Sequence, residues 1–65
     1  MGQGFYKLIV EVLLRNGCFF KRQAKGDHEL WYSPINNRSF SVDRGCLSRH
    51  TANGVMKQAG IDHEF

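Results

Sequence analysis

The spacing of the apolar residues before Asn16 constrains the fold of this chain more than any other feature of the sequence. Five of them recur at positions i, i+3, i+4, i+7 and i+8, namely Phe5, Leu8, Ile9, Val12 and Leu13. This spacing predicts an α-helix with one apolar face, and Asn16-Gly17 offers the left-handed residue with which helices commonly end. Because 65 residues allow only one compact core, we expect a single domain, 1–65, built against this face.

A second apolar row on the same helix consists of Tyr6, Val10 and Leu14, at i, i+4 and i+8. It makes the helix more apolar than one buried face requires. The row is either the margin of a broad stripe that faces the core or an exposed patch that contacts a protein partner. Large exposed apolar patches on small domains usually mark interfaces, so we hypothesise that part of this row is a partner interface.

The middle of the chain has the composition and the turn residues of three β-strands. Residues 18–25 alternate and contain two aromatics, which favours a strand over a helix. After a Gly26-Asp27 turn, residues 28–33 are apolar on both sides, so alternation does not show which face is the core. Asn36-Asn37 suits a tight turn with positive φ, and residues 39–42 alternate as a third strand. Together these segments predict an antiparallel meander.

Helical spacing returns near the end of the chain. From Arg49 onward, the apolar positions at this spacing are Ala52, Val55, Met56 and Ala59. We expect Gly60 to end this helix in a left-handed conformation, with Ile61 folded back onto the last turn. Inside a helix Gly54 costs about 1 kcal/mol relative to alanine, which suggests that the backbone runs close to another element there. Residues 62–65 are expected to form a frayed tail.

The predicted order of elements is therefore α-β-β-β-α. This is an α+β fold with a three-stranded antiparallel sheet packed on two helices. The arrangement resembles that of the double-stranded-RNA-binding domain.

Charge and cysteine content narrow the classes of function. Nine Lys and Arg against six Asp and Glu give a net charge of +3, which favours an anionic partner such as nucleic acid. Two cysteines are too few for the disulfide framework of a small secreted domain, so we expect free thiols in the cytoplasm. No apolar run approaches the roughly 20 residues of a membrane span, and we recognise no signal peptide. A zinc site from Cys18, Cys46, His50 and His63 is conceivable, although the paired spacing of zinc motifs is missing.

One histidine stands where a titratable side chain could act on a ligand. His28 is the first residue after the Gly26-Asp27 turn, and Lys21, Arg22 and Lys25 precede it closely. Imidazole titrates close to neutrality and can both take and give a proton, and the three cations would hold a phosphate. The alternative is that the turn is only a hairpin connection and His28 a half-exposed strand residue.

Motifs along nearly the whole chain, from Phe5 to Ile61, resemble those of the HicA toxin family. In chain order they are Asn16-Gly17, Arg22-Gln23, Lys25-Gly26-Asp27-His28, Ser41-Val42, Thr51-Ala52-Asn53 and Lys57-Gln58-Ala59-Gly60-Ile61. The resemblance implies the toxin of a bacterial type II toxin-antitoxin system, an endoribonuclease that cleaves messenger RNA and is neutralised by a HicB-type antitoxin. The chain departs from the family at Asp27, where serine or threonine is common, and in the loop of residues 43–48, which lacks the usual proline and histidine.

The resemblance also implies a site. The catalytic histidine of the family falls on His28 and the preceding glycine on Gly26. From their position beside His28, we predict that Lys21, Arg22, Lys25 and Gly26 contact RNA. RNA carries its own nucleophile, the 2′-hydroxyl, so the reaction needs a base, a cation and a proton for the leaving oxygen, and neither metal nor cofactor. The second proton-transfer group stays open at this point. The candidates are water and the side chains of His50, His63, Asp27 and Tyr32.

A rival function is a binding module of the double-stranded-RNA type without catalysis. In it, Phe19 and Trp31 would contact stacked bases while the lysines contact the backbone. Incubation of RNA with the wild-type chain and with a variant that lacks the His28 side chain distinguishes the two functions.

Overall fold

A computed structural model describes residues 4–65 of the chain. It confirms the predicted α-β-β-β-α order and the single three-stranded antiparallel sheet, with strands in the order β1-β2-β3. The elements are α1 (Tyr6–Arg15), β1 (Phe19–Gln23), β2 (His28–Ser33), β3 (Arg38–Asp43) and α2 (Arg49–Ala59). Within the described residues, neither helix has the length and apolar character needed to cross a membrane.

The core lies between the sheet and the two helices. From α1 it takes Ile9 and Leu13, which are fully buried, while α2 contributes Ala52, Val55, Met56 and Ala59. Leu8 was expected on the buried face, and this expectation is wrong, since 47% of its surface is exposed. At 100° per residue Leu8 lies at the margin of a stripe centred on Ile9 and Leu13. The helix is therefore buried along a narrower line than its apolar spacing predicts.

The inner face of β2 carries two polar residues beside one aromatic. Glu29, Trp31 and Ser33 are buried there, and Trp31 pairs with Phe40 across the ladder to β3. Leu30 and Tyr32 point to the opposite face and are only half-buried. The polar inner residues are tolerated because each one is hydrogen-bonded.

Hydrogen bonds from the end of β2 fix the position of α2. The Ser33 hydroxyl donates to the carbonyl of Ala59 at 2.6 Å, and the Asn36 amide donates to the carbonyl of Gln58 at 2.9 Å. At the other end of α2, the Ser48 hydroxyl caps the helix by accepting from the backbone N–H of Thr51 at 3.3 Å. The C-terminal end of α2 is thus bonded to the end of β2 and the loop after it, and the N-terminal end is capped by its own Ser48.

The helix endings and the asparagine turn are as predicted. Gly17 and Gly60 have φ values of 84° and 76°, and Asn37 has a φ of 56°. After Gly60, the N–H of Ile61 donates back to the carbonyl of Met56 at 2.9 Å. These are the left-handed endings that the sequence indicates.

Two other expectations are wrong. A Cβ added to Gly54 would meet no neighbouring heavy atom within 4 Å, so this part of α2 borders open space and not another element. The tail is not frayed either, because the N–H of Phe65 donates to Asn53 Oδ1 at 2.7 Å and its ring packs against Phe5 at a centroid distance of 5.8 Å. Docking on the side of the helices orders the tail.

Candidate functional site

The turn between β1 and β2 sets the position of the candidate catalytic residue. The backbone N–H of Ala24 donates to the carbonyl of His28 at 2.9 Å, and the N–H of His28 donates to the carbonyl of Lys25 at 3.2 Å. Gly26 has a φ of 64° whereas Asp27 is not in the left-handed region, a combination that fits a type II′ hairpin turn. Glycine at this position lets the strand begin directly at His28.

A side chain that sequence reasoning did not single out supports this turn. Gln23 donates through Nε2 to the carbonyls of Gly26 and His28, both at 3.1 Å. On the far side, the N–H of Arg44 donates to the carbonyl of Asp27 at 2.9 Å. Two sequence signals pointed to Gln23, namely its long amide side chain just before the turn and its place in the Arg22-Gln23 motif. With these bonds the turn is tied to its own strand and to the loop that precedes α2.

The His28 ring is exposed and has one defined neighbour. Ser41 Oγ lies 3.3 Å from His28 Nδ1, and His28 pairs with Asp43 across the β2–β3 ladder. Within residues 4–65, Nε2 makes no hydrogen bond. A hydroxyl on Nδ1 orients the ring and leaves Nε2 as the nitrogen that can meet a ligand.

A groove lies between this corner of the sheet and α2. Its volume is about 320 Å³, and it is open to solvent. Eight residues line it, namely His28, Ser41, Asp43, His50, Thr51, Gly54, Val55 and Gln58. The groove therefore brings together two histidines, one from the start of β2 and one from the first turn of α2. Asp27, Tyr32 and His63 are not among its lining residues.

The predicted RNA-contacting cations do not form one cluster. Lys25 is exposed in the turn beside His28, whereas Lys21 is the extra residue of a β-bulge in β1. Lys21 Nζ lies 3.4 Å from Ser39 Oγ and 5.9 Å from the centre of the Tyr32 ring. Because Tyr32 lies near the far end of β2, Lys21 is about 13 Å along the strand from His28. Of the three cations, Lys21 therefore lies farthest from the phosphate that His28 would contact.

Arg22 lies between these two lysines. The bulge at Lys21 moves Arg22 opposite Leu30, so that it shares the outer face of the sheet with Leu30 and Tyr32. All three cations are exposed. A strand of RNA on this face would meet Lys25 first, then Arg22, then Lys21.

The two aromatic residues of the rival binding function, Phe19 and Trp31, lie on opposite faces of the sheet. Trp31 is 3% exposed and its indole N–H donates to Glu29, so the expectation that it stacks on a base is wrong. Phe19 is 49% exposed and packs against the Tyr32 ring at a centroid distance of 5.4 Å. Only Phe19 has a face free for a base.

A buried carboxylate lies directly behind the candidate site. Glu29 is 7% exposed, and its oxygens accept from the Tyr6 hydroxyl and the Trp31 indole, each at 2.9 Å. Arg44 Nε approaches it to 3.9 Å. Burial raises the pKa of Tyr6, the hydrogen bond to Glu29 and its charge raise that pKa further, and Arg44 acts in the opposite direction. Because Glu29 follows His28 in the chain, this network anchors the start of β2 to α1.

The apolar row of Tyr6, Val10 and Leu14, which we hypothesise to be a partner interface, makes some of its contacts within the domain. Tyr6 bonds to Glu29 and is half-buried, Val10 packs against the core, and Leu14 is 57% exposed. The row is thus not completely buried, and its role as an interface stays a prediction. Leu8 adds a second exposed apolar side chain to the same helix.

The conceivable zinc site does not assemble. Cys18 and Cys46 are both free and buried, and no three His, Cys, Asp or Glu side chains of residues 4–65 are grouped closely enough to hold a metal ion. Cys46 fills space in the loop before α2, where its thiol approaches the carbonyl of Ser48 at 3.5 Å.

Similarity to a known protein family extends over both helices and the three strands. A family model described as HicA toxin of bacterial toxin-antitoxin matches residues 6–61. Comparisons with curated proteins and with solved structures gave no significant match. The matched span begins with α1 and includes both the hairpin with His28 and every residue that lines the groove.

Proposed function

Because this chain belongs to the HicA toxin family and is therefore a toxin of a bacterial toxin-antitoxin system, we propose that it acts by cleaving messenger RNA with His28 as the catalytic base. The observation that carries the proposal is the state of His28. Its imidazole is exposed on the wall of a groove, oriented through Nδ1 by Ser41 and adjacent to the lysine of the turn. A residue with only a structural role would not need this combination of exposure and orientation.

For cleavage of RNA at the ribose 2′-hydroxyl, this proposal requires a base and positive charge from the protein. His28 Nε2 takes the proton of a ribose 2′-hydroxyl, and the 2′-oxygen attacks the adjacent phosphorus. Lys25 and Arg22 stabilise the negative charge that develops on the phosphorane oxygens. Since the nucleophile and the leaving group both belong to the RNA, the reaction runs without a metal or a cofactor and ends in a 2′,3′-cyclic phosphate.

Inducible expression and cleavage of purified RNA test this proposal together. We expect the wild-type chain to arrest growth and degrade RNA, and His28→Ala to lose at least about 100-fold in cleavage rate while keeping its thermal unfolding midpoint. The matched control is His63→Ala, an exposed histidine outside the groove whose ring packs on Phe65. Equal toxicity of wild type and His28→Ala at the same protein level would show that His28 is not the base.

The chemistry of the product ends provides a separate test. The 2′-hydroxyl mechanism leaves a 2′,3′-cyclic phosphate and a 5′-hydroxyl, which mass spectrometry of short oligonucleotide products identifies. Products with 5′-phosphate ends would mean that water, and not the ribose, attacks phosphorus. RNA that is bound by the wild type but never cut would favour the non-catalytic binding module.

A HicB-type antitoxin is the partner we propose for this toxin. A protein that cuts RNA must be kept inactive in the cytoplasm where it acts, and an acidic segment over Lys25, Arg22 and His28 would do so directly. The exposed side chains of α1, Leu14 with the outer part of Val10, would extend the contact. Hydrogen exchange measured on the complex tests this. If the antitoxin protects α1 but not the β1–β2 turn, it inhibits the toxin without covering His28.

A further inference from the structure

The groove narrows the choice of the second proton-transfer group. Among the side chains that the sequence left as candidates, His50 alone lines the groove with His28. From this juxtaposition we infer that His50 is a second catalytic residue, which donates a proton to the 5′-oxygen that leaves when the RNA chain is cut. The inference rests on the proposed endoribonuclease function and assigns a role in it that the family match does not.

The other candidates are held elsewhere. The Tyr32 hydroxyl donates to Asn37 Oδ1 at 3.1 Å near the far end of β2, about 13 Å from His28 at the rise of a strand. The His63 ring packs on Phe65 at a centroid distance of 4.7 Å, in the tail. Asp27 lies in the turn outside the groove. None of these side chains lines the space in which His28 would meet phosphate.

His50 stands on a part of the backbone that is fixed relative to His28. In the loop before α2, the N–H of Gly45 donates to Asp43 Oδ1 at 2.9 Å, and the N–H of Cys46 donates to the carbonyl of Asp43 at 3.1 Å. The carbonyl of Cys46 accepts from the N–H of Phe5 at 2.8 Å. Because Asp43 is also the cross-strand partner of His28, the same residue anchors both walls of the groove. A catalytic pair needs such a rigid spacing.

The two histidines reach the groove from different elements of the fold. In-line displacement places the attacking and leaving oxygens on opposite sides of phosphorus, so base and acid must approach from different directions. His28 comes from the sheet and His50 from α2, and both line the same groove of about 320 Å³. Gly54 contributes to this space, since a Cβ there would project into a region with no atom within 4 Å. The hydroxyls of Ser41 and Thr51 also line it and can donate to phosphate oxygens.

Asp43 is the one carboxylate in the groove, and it opposes phosphate binding by its charge. Its Oδ1 already accepts from the Gly45 N–H at 2.9 Å. The half-buried position of Asp43 and this bond hold the carboxylate at the end of β3, toward the loop. The charge of Lys25, which is exposed in the turn before His28, acts against this repulsion.

The step balances with two groups. His28 Nε2 takes the 2′-hydroxyl proton as the bond from the 2′-oxygen to phosphorus forms. The bond from phosphorus to the 5′-oxygen breaks, and the proton of the His50 imidazolium goes to that oxygen. The products are a 2′,3′-cyclic phosphate and a 5′-hydroxyl, with His28 protonated and His50 neutral. Exchange of these protons with water restores the starting state.

A substrate with a better leaving group tests the assignment. Two RNA oligonucleotides are compared, one natural and one with sulfur in place of the 5′-oxygen at a single cleavage site. A thiolate leaves without protonation because its pKa is about 8.5, so an enzyme that lacks its general acid recovers on the sulfur substrate. We expect His50→Ala to cut the natural RNA about 100-fold or more slowly than wild type and to come within about tenfold of wild type on the sulfur substrate.

Three variants make the result specific. His28→Ala should stay slow on both substrates, because a better leaving group does not replace the base. His50→Gln, which keeps a polar side chain but cannot transfer a proton, should behave as His50→Ala. His63→Ala should match wild type on both substrates. Unchanged thermal unfolding of all three exposed-site variants shows that folding does not account for the rates.

Several outcomes overturn the inference. Wild-type rates for His50→Gln on natural RNA would mean that no proton passes through this residue. Equal loss by His50→Ala on both substrates, with RNA binding retained, would make His50 a positioning residue. If wild type cuts neither substrate, the endoribonuclease proposal itself fails and the assignment falls with it. If wild type cuts both substrates and His50→Ala cuts both at the wild-type rate, only the role of His50 is refuted.

Discussion

Replacement of Glu29 by alanine should destabilise this domain strongly, because the carboxylate is the acceptor for two buried or half-buried donors. Trp31 is 3% exposed, and its indole N–H would lose its only hydrogen bond. An unsatisfied buried donor costs about 1–3 kcal/mol, and loss of the buried side-chain methylene adds about 0.8 kcal/mol. Tyr6 can turn to water, so its share is small. The ion pair with Arg44 spans 3.9 Å and the Arg44 side chain is 53% exposed, which limits its contribution to less than about 1 kcal/mol.

These contributions give a loss of about 2–4 kcal/mol for Glu29→Ala. In a domain of this size each kcal/mol lowers Tm by about 4–8 °C, so Tm should fall by at least about 8 °C. Glu29→Gln keeps an oxygen for the Trp31 indole, and its amide can donate to the Tyr6 hydroxyl. It should therefore cost only about 1 kcal/mol.

Thermal and urea unfolding followed by circular dichroism measure these losses. The matched control is Glu11→Ala, which removes the exposed pair of Glu11 with Arg15 at 3.2 Å on the same helix as Tyr6. An exposed pair of this spacing contributes about 0.3–0.5 kcal/mol. If Glu29→Ala were no more destabilising than Glu11→Ala, the carboxylate would not be supporting the buried indole and the reasoning from burial would be refuted.

Further predictions concern binding, the turn and alkaline stability. Lys25→Ala should weaken RNA binding and reduce the slope of log K against log salt by about 0.7–1, measured by titration at several salt concentrations with the His28→Ala background to prevent cleavage. Gly26→Ala, at a φ of 64° with no atom within 4 Å of the new Cβ, should cost about 1–2 kcal/mol of unfolding free energy. Gly60→Ala should cost more, since its φ is 76° and its Cβ would lie 3.2 Å from side chains of the β2–β3 loop; equal costs would argue against that contact. The raised pKa of Tyr6 favours the neutral phenol in the fold, so its stabilisation is complete below the ordinary value of 10.0 and is lost as pH rises through the higher folded value. Urea titrations from pH 9 to 12 should show a steeper loss for wild type than for Tyr6→Phe.

The two proposed proton-transfer groups come from parts of the chain that meet only in the tertiary structure. His28 begins β2, and His50 lies in the first turn of α2. The bonds from the Ser33 hydroxyl to the carbonyl of Ala59 and from the Asn36 amide to the carbonyl of Gln58 hold the C-terminal end of α2 to the end of β2 and the loop after it. Variants at these positions should affect catalysis through the spacing of the two rings, without touching RNA.

An antitoxin would have to cover this groove or distort it. His28 lines the groove and follows the turn that carries the exposed Lys25, while the exposed apolar residues of α1, Leu8 and Leu14, do not line the groove. An inhibitor that engages both surfaces would combine charge with apolar contact. The separate contributions can be measured by comparing antitoxin affinity for Lys25→Ala and Leu14→Ala.

The sequence by itself determined the order of elements, the ends of both helices and the turn before His28. Each of these depends on residues close together in the chain: helical spacing around Ile9, a glycine that accepts positive φ at position 60, and a glycine turn at Gly26. Local rules of this kind need no knowledge of the partner element. The family motifs are likewise runs of neighbouring residues.

Only the tertiary structure decided which face of β2 is buried and which side chains share the groove. Alternation in β2 suited either face, and the choice went to the face of Glu29 because Tyr6 and Trp31 satisfy its carboxylate there. His50 joins His28 because α2 packs along β3 and its C-terminal end is bonded to Ser33 and Asn36. Contacts between distant segments depend on how whole faces pack, and periodicity within one segment carries no information about that packing.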